Sequence, residues 1–442
     1  MRAATDADFN SRSRQIEVKL DIYFDGRIAT PFTVSKSDYL IDAEWLEEIS
    51  ADSSNPLGVI SSNELSFRLF NKDGIFSPTN TLSPHYGKIK AGIIIALYIR
   101  TVDDTDEVEW TQLGMYLTTG WDAQITGTYA DITANDIWYY LFNTTMVDYP
   151  VTKDITYYAL LTEVFDLLGS PVPVDVELNT VLPYAFISKS TKTFLKDVLS
   201  ASLAYATCTK EGLPVVEAFL KERTLRATLT DADQIKSMSV KQSINRAHDC
   251  VELSYVIPNL SELTNLVTVT NLTVPVGTTT VSGIEYQNSP VWDVLTVIVR
   301  DASGKVSLSN YQSTQDTISI TVNNVGNTSI PINVYVYGQY IELASVVLSD
   351  NGATPLKISN KYIQSVEHAN VVKSVMQKYN DQDIPTLTVP IRGNPLLSIG
   401  EKVNLSSAKY NVNFTGIIQR LSYKYNGSLD CVMSVINAAI FE

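Results

Sequence analysis

The chain has 442 residues, of which 45% are hydrophobic and 18% are charged, and its formal net charge is −15. A chain of this length is too long for one compact core, so we expect two to four domains. The composition excludes a disordered protein, which would carry fewer apolar residues and more net charge per residue. No basic run is long enough to clamp a phosphate backbone, so we do not expect tight binding of nucleic acid.

The residue types favour β-structure. The polar fraction is rich in Ser, Thr and Asn, and there are 24 tyrosines. Val, Ile, Thr and Tyr all suit pleated, half-buried surfaces, so the composition predicts more strand than helix.

Three cysteines, Cys208, Cys250 and Cys431, lie far apart in the sequence and include no CxxC pair. This odd, sparse set argues against a disulfide framework or a structural zinc site and favours assembly in a reducing cytoplasm. The polar N-terminus, residues 1–14, has no apolar signal core, and the longest apolar run, residues 93–99, has only the length of a strand. We therefore expect a soluble protein without a classical export signal.

Residues 16–133 show a pattern of strands and turns. Residues 16–22 and 64–70 alternate apolar and polar side chains, which predicts strands with one face in a core. Residues 92–100 are apolar almost throughout, which predicts a strand covered on both faces. The acidic stretch at residues 103–107 lacks the ligand spacing and the glycine of a calcium loop, so a solvated hairpin tip is a better interpretation than a calcium site.

Between residues 135 and 226 the apolar period changes to that of helices. Apolar side chains predict one helix over residues 156–168, with Gly169 as its C-cap, and a second helix over residues 191–204. Short strands follow the second helix. This pattern predicts a compact α+β domain.

Residues 258–357 are nearly free of helix signals and rich in Thr, Val, Ser and Asn. Their strands recur at the spacing of a β-sandwich, which predicts an inserted all-β domain. Strands are also predicted before the insert, over residues 236–256. After it, a helix is predicted over residues 364–379, followed by strands over residues 386–391, 402–405, 416–425 and 428–435.

The sequence contains no group of residues that would support catalysis or hold a cofactor or a metal ion. A phosphate-binding glycine loop, a GxSxG turn and an HExxH helix are all missing. His85, His248 and His368 lack metal-ligand spacing, so each is interpreted as a hydrogen-bonded structural residue. Cys208 and Cys250 lie in alternating strand patterns, which suit a small buried hydrophobe better than a nucleophile. We therefore predict no catalytic, cofactor-binding or metal-binding residues, and a protein that is not an enzyme.

One segment, residues 60–92, has the sequence ISSNELSFRLFNKDGIFSPTNTLSPHYGKIKAG. It resembles a segment of phage tail hub proteins, which often combine NELxxxLxN, DGxFSPxN and SPYYGKLKxG. His85 stands where these proteins usually have another aromatic residue. The matching residues are Asn63, Glu64, Leu65, Leu69, Asn71, Asp73, Gly74, Phe76, Ser77, Pro78, Asn80, Ser83, Pro84, Tyr86, Gly87, Lys88, Lys90 and Gly92.

In physical terms the segment predicts a half-buried strand, a turn that needs Gly74, and an irregular loop held by Pro78 and Pro84. The side chains of Asn80 and Ser83 can tie that loop to its own backbone.

The resemblance implies a mainly β fold with a smaller α+β domain. In this family, two β-barrel domains similar to the tail-tube subunit flank the α+β domain, and here a β-sandwich-like domain is inserted. The implied domains are residues 1–135 for the first barrel, 136–235 for the α+β domain, 236–257 with 358–442 for the second barrel, and 258–357 for the insert.

The resemblance also implies a function, that of a structural virion protein. Three chains with two tube-like barrels each would form a six-unit ring, which matches a hexameric tail tube above and presents threefold symmetry below. Such a trimeric tail or baseplate hub would be made in the host cytoplasm and would lie at the distal end of the tail. DNA would pass through its lumen without specific binding, which the acidic charge suits.

The expected partners follow from this position. They are other copies of the chain, a tail-tube or distal tail protein above, and spike, fibre or other baseplate proteins below, with the tape-measure protein as a further candidate.

The sequence leaves other functions open. A receptor- or glycan-binding tail-tip protein is the main alternative, because Tyr286 and Trp292 in the insert could stack on sugar, although core packing suits them better. A hub with a peptidoglycan-cleaving activity would need an appended catalytic domain, and we expect none in a chain that ends at Glu442. The hub of a phage-derived injection device would use the same fold.

Overall fold

In a computed structural model of the chain, the described residues are 2–11, 14–27, 29–49, 57, 60–102, 108–123, 127–146, 149–187, 190–231, 235, 248–350, 352, 354–382, 386–409 and 411–442. Helices are short and few in these ranges. They are α1 (Asp6–Asn10), α2 (Ile137–Phe142), α3 (Tyr157–Leu167), α4 (Thr191–Ala201) and α5 (Val366–Asn380), with two 3₁₀ turns at Lys72–Gly74 and Ala438–Ile440.

The N-terminal strands form one part of a large sheet, in which they pair antiparallel in the order β3-β4-β7-β6-β5-β1-β2. Alternation of side chains explains why they do so. In β4, for example, Leu65, Phe67 and Leu69 are buried while the residues between them are exposed, so one face of the strand joins the core. The bounds are β1 (Gln15–Tyr23), β2 (Phe32–Ser35), β3 (Leu40–Glu48), β4 (Glu64–Phe70), β5 (Ile94–Val102), β6 (Thr111–Ala123) and β7 (Tyr129–Asn135).

A second set of strands comes mostly from the C-terminal part of the chain. It pairs in the order β12-β22-β23-β24-β21, with β12 parallel to β22 and the other pairs antiparallel. An isolated bridge between Ile235 and Ile391 links β21 to the segment that follows β12. The bounds are β12 (Leu225–Thr230), β21 (Thr386–Ile391), β22 (Lys402–Ser407), β23 (Val412–Tyr425) and β24 (Leu429–Asn437).

The two sets are joined by direct pairing of β3 with β23, which we call the seam. Residues 43–48 of β3 lie antiparallel to residues 420–425 of β23. At its centre the rings of Trp45 and Tyr423 stack with centroids 4.9 Å apart, and both side chains are buried. Within the described residues the two sets thereby form one twelve-stranded sheet.

The α+β part lies between the two sets in the chain. Helix α3 begins where the Thr156 hydroxyl accepts a hydrogen bond from the backbone N–H of Ala159, and Gly169 follows its end with a φ of +67°. Helix α4 ends at Ala201, three residues earlier than predicted, because Leu203 turns the chain with a φ of +51°. The strands of this part form two antiparallel pairs. β8 (Thr152–Thr156) pairs with β9 (Val181–Ala185) across helix α3 in the chain, and β10 (Ala204–Cys208) forms a hairpin with β11 (Pro214–Ala218).

The segment predicted as an all-β insert consists of strands, in two layers with a hydrophobic core of their own. One layer has the order β14-β19-β16, and the other β15-β18-β17. The second half of β19 leaves these layers and pairs with β13, which in turn pairs with β20. The bounds are β13 (Cys250–Leu260), β14 (Thr264–Val274), β15 (Gly277–Glu285), β16 (Val291–Asp301), β17 (Val306–Ser313), β18 (Thr317–Asn324), β19 (Ile330–Ser349) and β20 (Pro355–Ser359).

The insert also touches the α+β part directly. The side-chain amide of Gln315 accepts a hydrogen bond from the backbone N–H of Ile187 at 3.1 Å and donates one to the carbonyl of the same residue. Beside it, Trp292 packs edge-on against Tyr184, with ring centroids 5.5 Å apart. The insert is therefore held at two places, by the β13/β19 ribbon and by this contact.

The predicted fold class, mainly β with a smaller α+β part, is confirmed. Closure of the two strand sets into barrels and the predicted domain boundaries stay predictions. No helix among the described residues has the length and apolar character needed to cross a membrane.

Candidate functional site: the loop at residues 71–92

The loop that carries the sequence resemblance leaves β4 through a tight turn. The side chain of Asn71, which is buried, accepts a hydrogen bond from the backbone N–H of Phe76 at 2.8 Å and donates one to the Ser77 hydroxyl at 3.0 Å. Gly74 has a φ of +66°, and a Cβ there would lie 3.2 Å from the Asn80 side chain. The turn therefore needs glycine for both conformation and space, as predicted.

Two further side chains tie the loop to its own backbone. The amide of Asn80 donates to the carbonyls of Asp73 at 3.1 Å and Gly74 at 3.0 Å, and its oxygen accepts from the backbone N–H of Leu82 at 3.0 Å. The hydroxyl of Ser83 donates a hydrogen bond to the backbone carbonyl of Ile75, eight positions earlier in the chain. The predicted roles of Asn80 and Ser83 are confirmed.

The loop is anchored on an aromatic cluster at one end of the first strand set. Phe76 is fully buried at its centre, and its carbonyl accepts a hydrogen bond from the Trp121 indole at 2.9 Å. Ring centroids lie 5.4 Å apart for Tyr39 and Phe76 and 5.9 Å apart for Phe32 and Phe76. The cluster consists of Phe24, Phe32, Tyr39, Phe76, His85 and Trp121.

His85 is part of this cluster as an aromatic ring. It stacks on Phe24 at 4.1 Å and meets Phe32 edge-on at 4.8 Å, and its buried Nε2 has no hydrogen-bond partner among the described residues. The expectation of a hydrogen-bonded imidazole was therefore wrong for His85, because the ring occupies an apolar position. Burial lowers the pKa of His85, and Lys88 lowers it further while Asp25 opposes the shift.

The other two histidines do hydrogen-bond. Nε2 of His368 lies 2.7 Å from the carbonyl of Ala201, and its Nδ1 lies 3.3 Å from the Tyr157 hydroxyl. Nδ1 of His248 lies 3.2 Å from the carbonyl of Thr354. The structural interpretation fits both residues.

All three cysteines are free thiols. Cys250 and Cys431 are buried, while Cys208 is only half-buried. Burial raises the pKa values of the Cys208 and Cys431 thiols far above their ordinary range. A thiolate nucleophile is therefore disfavoured at both positions.

The two aromatics considered for sugar stacking are both engaged. Tyr286 is buried in the core of the insert, and its hydroxyl lies 2.7 Å from that of Ser313. Trp292 packs on Tyr184 in the contact between the insert and the α+β part. Both side chains therefore pack against other residues of the chain, which is the interpretation that the sequence favoured over sugar stacking.

Two sequence expectations lie outside the described residues, namely the hairpin tip at residues 103–107 and the first half of the strands at residues 236–256. Among the residues that are described, no group of three or more His, Cys, Asp and Glu side chains could hold a metal ion.

Two solved structures resemble the whole chain. The 43 kDa tail protein of prophage MuSo2 from Shewanella oneidensis matches with a TM-score of 0.55 and 11% identity, over 96% of this chain and 100% of that one. The tail protein from Neisseria meningitidis MC58 matches with a TM-score of 0.53 and 8% identity, over 97% of this chain and 98% of that one. The chain has the fold of these tail proteins. The resemblance of residues 60–92 is thus confirmed at the level of the fold.

No protein-family model and no curated protein sequence matches the chain. The similarity to these tail proteins therefore lies in the fold.

Sequence reasoning missed most of the surroundings of this loop. Phe24 follows the end of β1 and Phe32 begins β2, where an aromatic residue gives no signal of its own. Trp121 is 45 positions from its hydrogen-bond partner. Glu47 was missed as well, although it continues the buried face of β3 after Ala43 and Trp45. That alternation was a usable signal for a buried carboxyl group.

Replacing Asn80 by alanine is expected to destabilise the protein by about 1–3 kcal/mol, because three hydrogen bonds within the loop are lost. Urea denaturation measures the change. The matched control is Leu82→Ala in the same loop, where the side chain is 91% exposed and little change is expected. Equal stability of the two variants would contradict the assigned role.

The buried His85 makes stability depend on pH. Because its folded-state pKa lies below the ordinary value of 6.5, the unfolded chain takes up the proton first, so this residue costs stability as pH falls through about 6.5. Between about pH 7.5 and about pH 5.5, the melting temperature should fall less in His85→Phe than in the wild type.

Calorimetry at the two pH values tests this, with His248→Gln, at an exposed position, as the control that should behave like the wild type. A His85→Phe variant with the unchanged pH profile would show that another group is responsible.

Proposed function

We propose that the chain is a structural, non-enzymatic protein of a phage tail, and more specifically the trimeric hub at the distal end of the tail. The proposal rests on the extent of the structural similarity, which covers almost all of this chain and almost all of each of the two matched tail proteins.

The arrangement of strands supports the trimer. Each chain supplies two strand sets joined at the seam, so three chains supply six sets, the number needed to match a hexameric tube. In the described residues β2, β12 and β21 each pair with a single strand of the sheet, so each has one edge without a further strand partner. Unpaired edges of this kind are protected when a neighbouring chain covers them.

An exposed apolar side chain on β12 fits such an interface. Leu225 at the start of this edge strand is 53% exposed in the single chain. In the proposed ring β12 contacts the next chain, and Leu225 becomes buried there.

The proposed surroundings follow from the ring. A tail-tube or distal tail protein lies above, and spike, fibre or other baseplate proteins lie below, with the tape-measure protein as a further candidate. DNA passes through the lumen, where the net charge of −15 disfavours adhesion of the phosphate backbone. The alternative of a glycan-binding tip protein is weakened, because Tyr286 and Trp292 are engaged in packing.

Light scattering of the purified protein tests the trimer. We expect a mass near three times 48.9 kDa and ring-shaped particles with threefold symmetry in negative-stain images. Leu225→Glu is expected to give folded monomers, while Leu82→Glu, at a residue that is also exposed but lies in the loop, should still form the ring. An elongated rod, or a wild-type protein that stays monomeric at every concentration, would contradict the proposal.

A further inference from the structure

A cavity of about 310 Å³ lies where the two strand sets meet the α+β part. Its walls come from β3, β6, β10 and the segment before β22, and its lining reaches the exposed turn between β10 and β11 at Glu211. This volume is at the lower end of the range for small-ligand sites. The polar side chains that matter here are Glu47, Tyr116, Asp136, Thr207 and Lys210.

Two polar groups in this lining, the Glu47 carboxylate and the Tyr116 hydroxyl, make no hydrogen bond among the described residues. Glu47 is 7% exposed and Tyr116 is 2% exposed. Burying a polar group without a partner is unfavourable, so two such groups beside one cavity indicate a site that a ligand or ordered water completes. The Thr207 hydroxyl also has no partner among the described residues, but its oxygen is fully enclosed and does not face the cavity.

The remaining polar groups of the cavity are already engaged. The Asp136 carboxylate accepts hydrogen bonds from the backbone N–H groups of Asn63 at 2.9 Å and Trp138 at 3.0 Å. The Lys210 ammonium donates to the carbonyls of Pro395 and Leu397, and not to Glu47. Lys210 therefore forms no direct ion pair with Glu47, although its positive charge lowers the pKa of that carboxyl.

The polar groups that line the cavity determine which kind of ligand fits it. The Glu47 carboxylate and the Tyr116 hydroxyl can accept hydrogen bonds, and a primary ammonium group donates hydrogen bonds and carries the charge opposite to that of the carboxylate. Glu47, Asp136, Glu211 and Glu217 outnumber Lys210 in the lining, which favours a cation over an anion. Because no metal-binding group of three side chains occurs in the described residues, an organic cation fits better than a metal ion.

We propose that this cavity is a binding site for an alkylammonium group, with the Glu47 carboxylate as its counter-ion and the Tyr116 hydroxyl as a hydrogen-bond partner. The group can come from a small free amine or from the lysine side chain of a neighbouring protein. Burial also raises the pKa of Glu47 to about 7, and a bound cation stabilises the ionised form of this carboxyl.

The site does not depend on the proposed role in the tail. Glu47 lies opposite Leu421 in the seam, and Lys210 connects the β10–β11 turn to the segment before β22. Occupancy of the cavity therefore strengthens the place where the three parts of the chain meet.

Calorimetric titration of the intact protein near pH 8, where most of Glu47 is ionised, tests the site. Propylammonium chloride is expected to bind saturably at one site per chain, while tetramethylammonium chloride, which has the same charge but no N–H donor, should give no saturable heat. N-acetyl-lysine-N-methylamide separates the two sources, since binding of this compound points to a protein side chain and its exclusion points to a free amine.

The variant Glu47→Gln should bind propylammonium at least about tenfold more weakly, and Tyr116→Phe should bind it more weakly while keeping the carboxylate. The matched control is Glu44→Gln, on the same strand with an exposed side chain, which should bind like the wild type. Saturable binding of tetramethylammonium, the absence of propylammonium binding, or undiminished affinity in both Glu47→Gln and Tyr116→Phe would overturn the proposal.

Discussion

The pairing of β3 with β23 is the constraint on which the rest of the structure depends. These strands are about 370 positions apart in sequence, at residues 43–48 and 420–425, so closing the chain between them costs conformational entropy. Burial of Trp45 against Tyr423 and the ladder of hydrogen bonds offset this cost. Because the chain makes this connection, two strand sets become one sheet with a fixed relative position.

The other parts are attached to this frame at defined points. The α+β part fills the space beside the seam, where the β10–β11 turn is held through Lys210. The insert is reached by the β13/β19 ribbon and fixed by Gln315. The loop at residues 71–92 lies on the first strand set only, held by its own side chains and by the aromatic cluster.

Local patterns in the sequence predicted a large part of this fold. The strands at residues 16–22 and 64–70, the helix after Thr156 and the ties made by Asn80 and Ser83 depend on neighbours close in sequence, so period, capping and turn chemistry were enough to find them. The pairing of β3 with β23 was not predictable in this way. Alternation tells which face of a strand is buried, but it does not tell which distant strand will lie beside it.

The candidate site was predictable to a similar extent. The internal hydrogen bonds of the loop were expected from its residue types, whereas the apolar position of His85 depends on Phe24 and Phe32, which the fold brings to it. The cavity beside Glu47 is formed by three separate parts of the chain, so no local motif could indicate it.

Hydrogen exchange followed by mass spectrometry tests the central claim, that the seam makes the two strand sets one unit. The account predicts that β3 and β23 exchange slowly and at similar rates, and that Trp45→Ala, which should cost about 3–5 kcal/mol, accelerates exchange in both strand sets together. If Trp45→Ala accelerated exchange only in the N-terminal set, with β22, β23 and β24 unchanged, the two sets would be independent and the account would be contradicted.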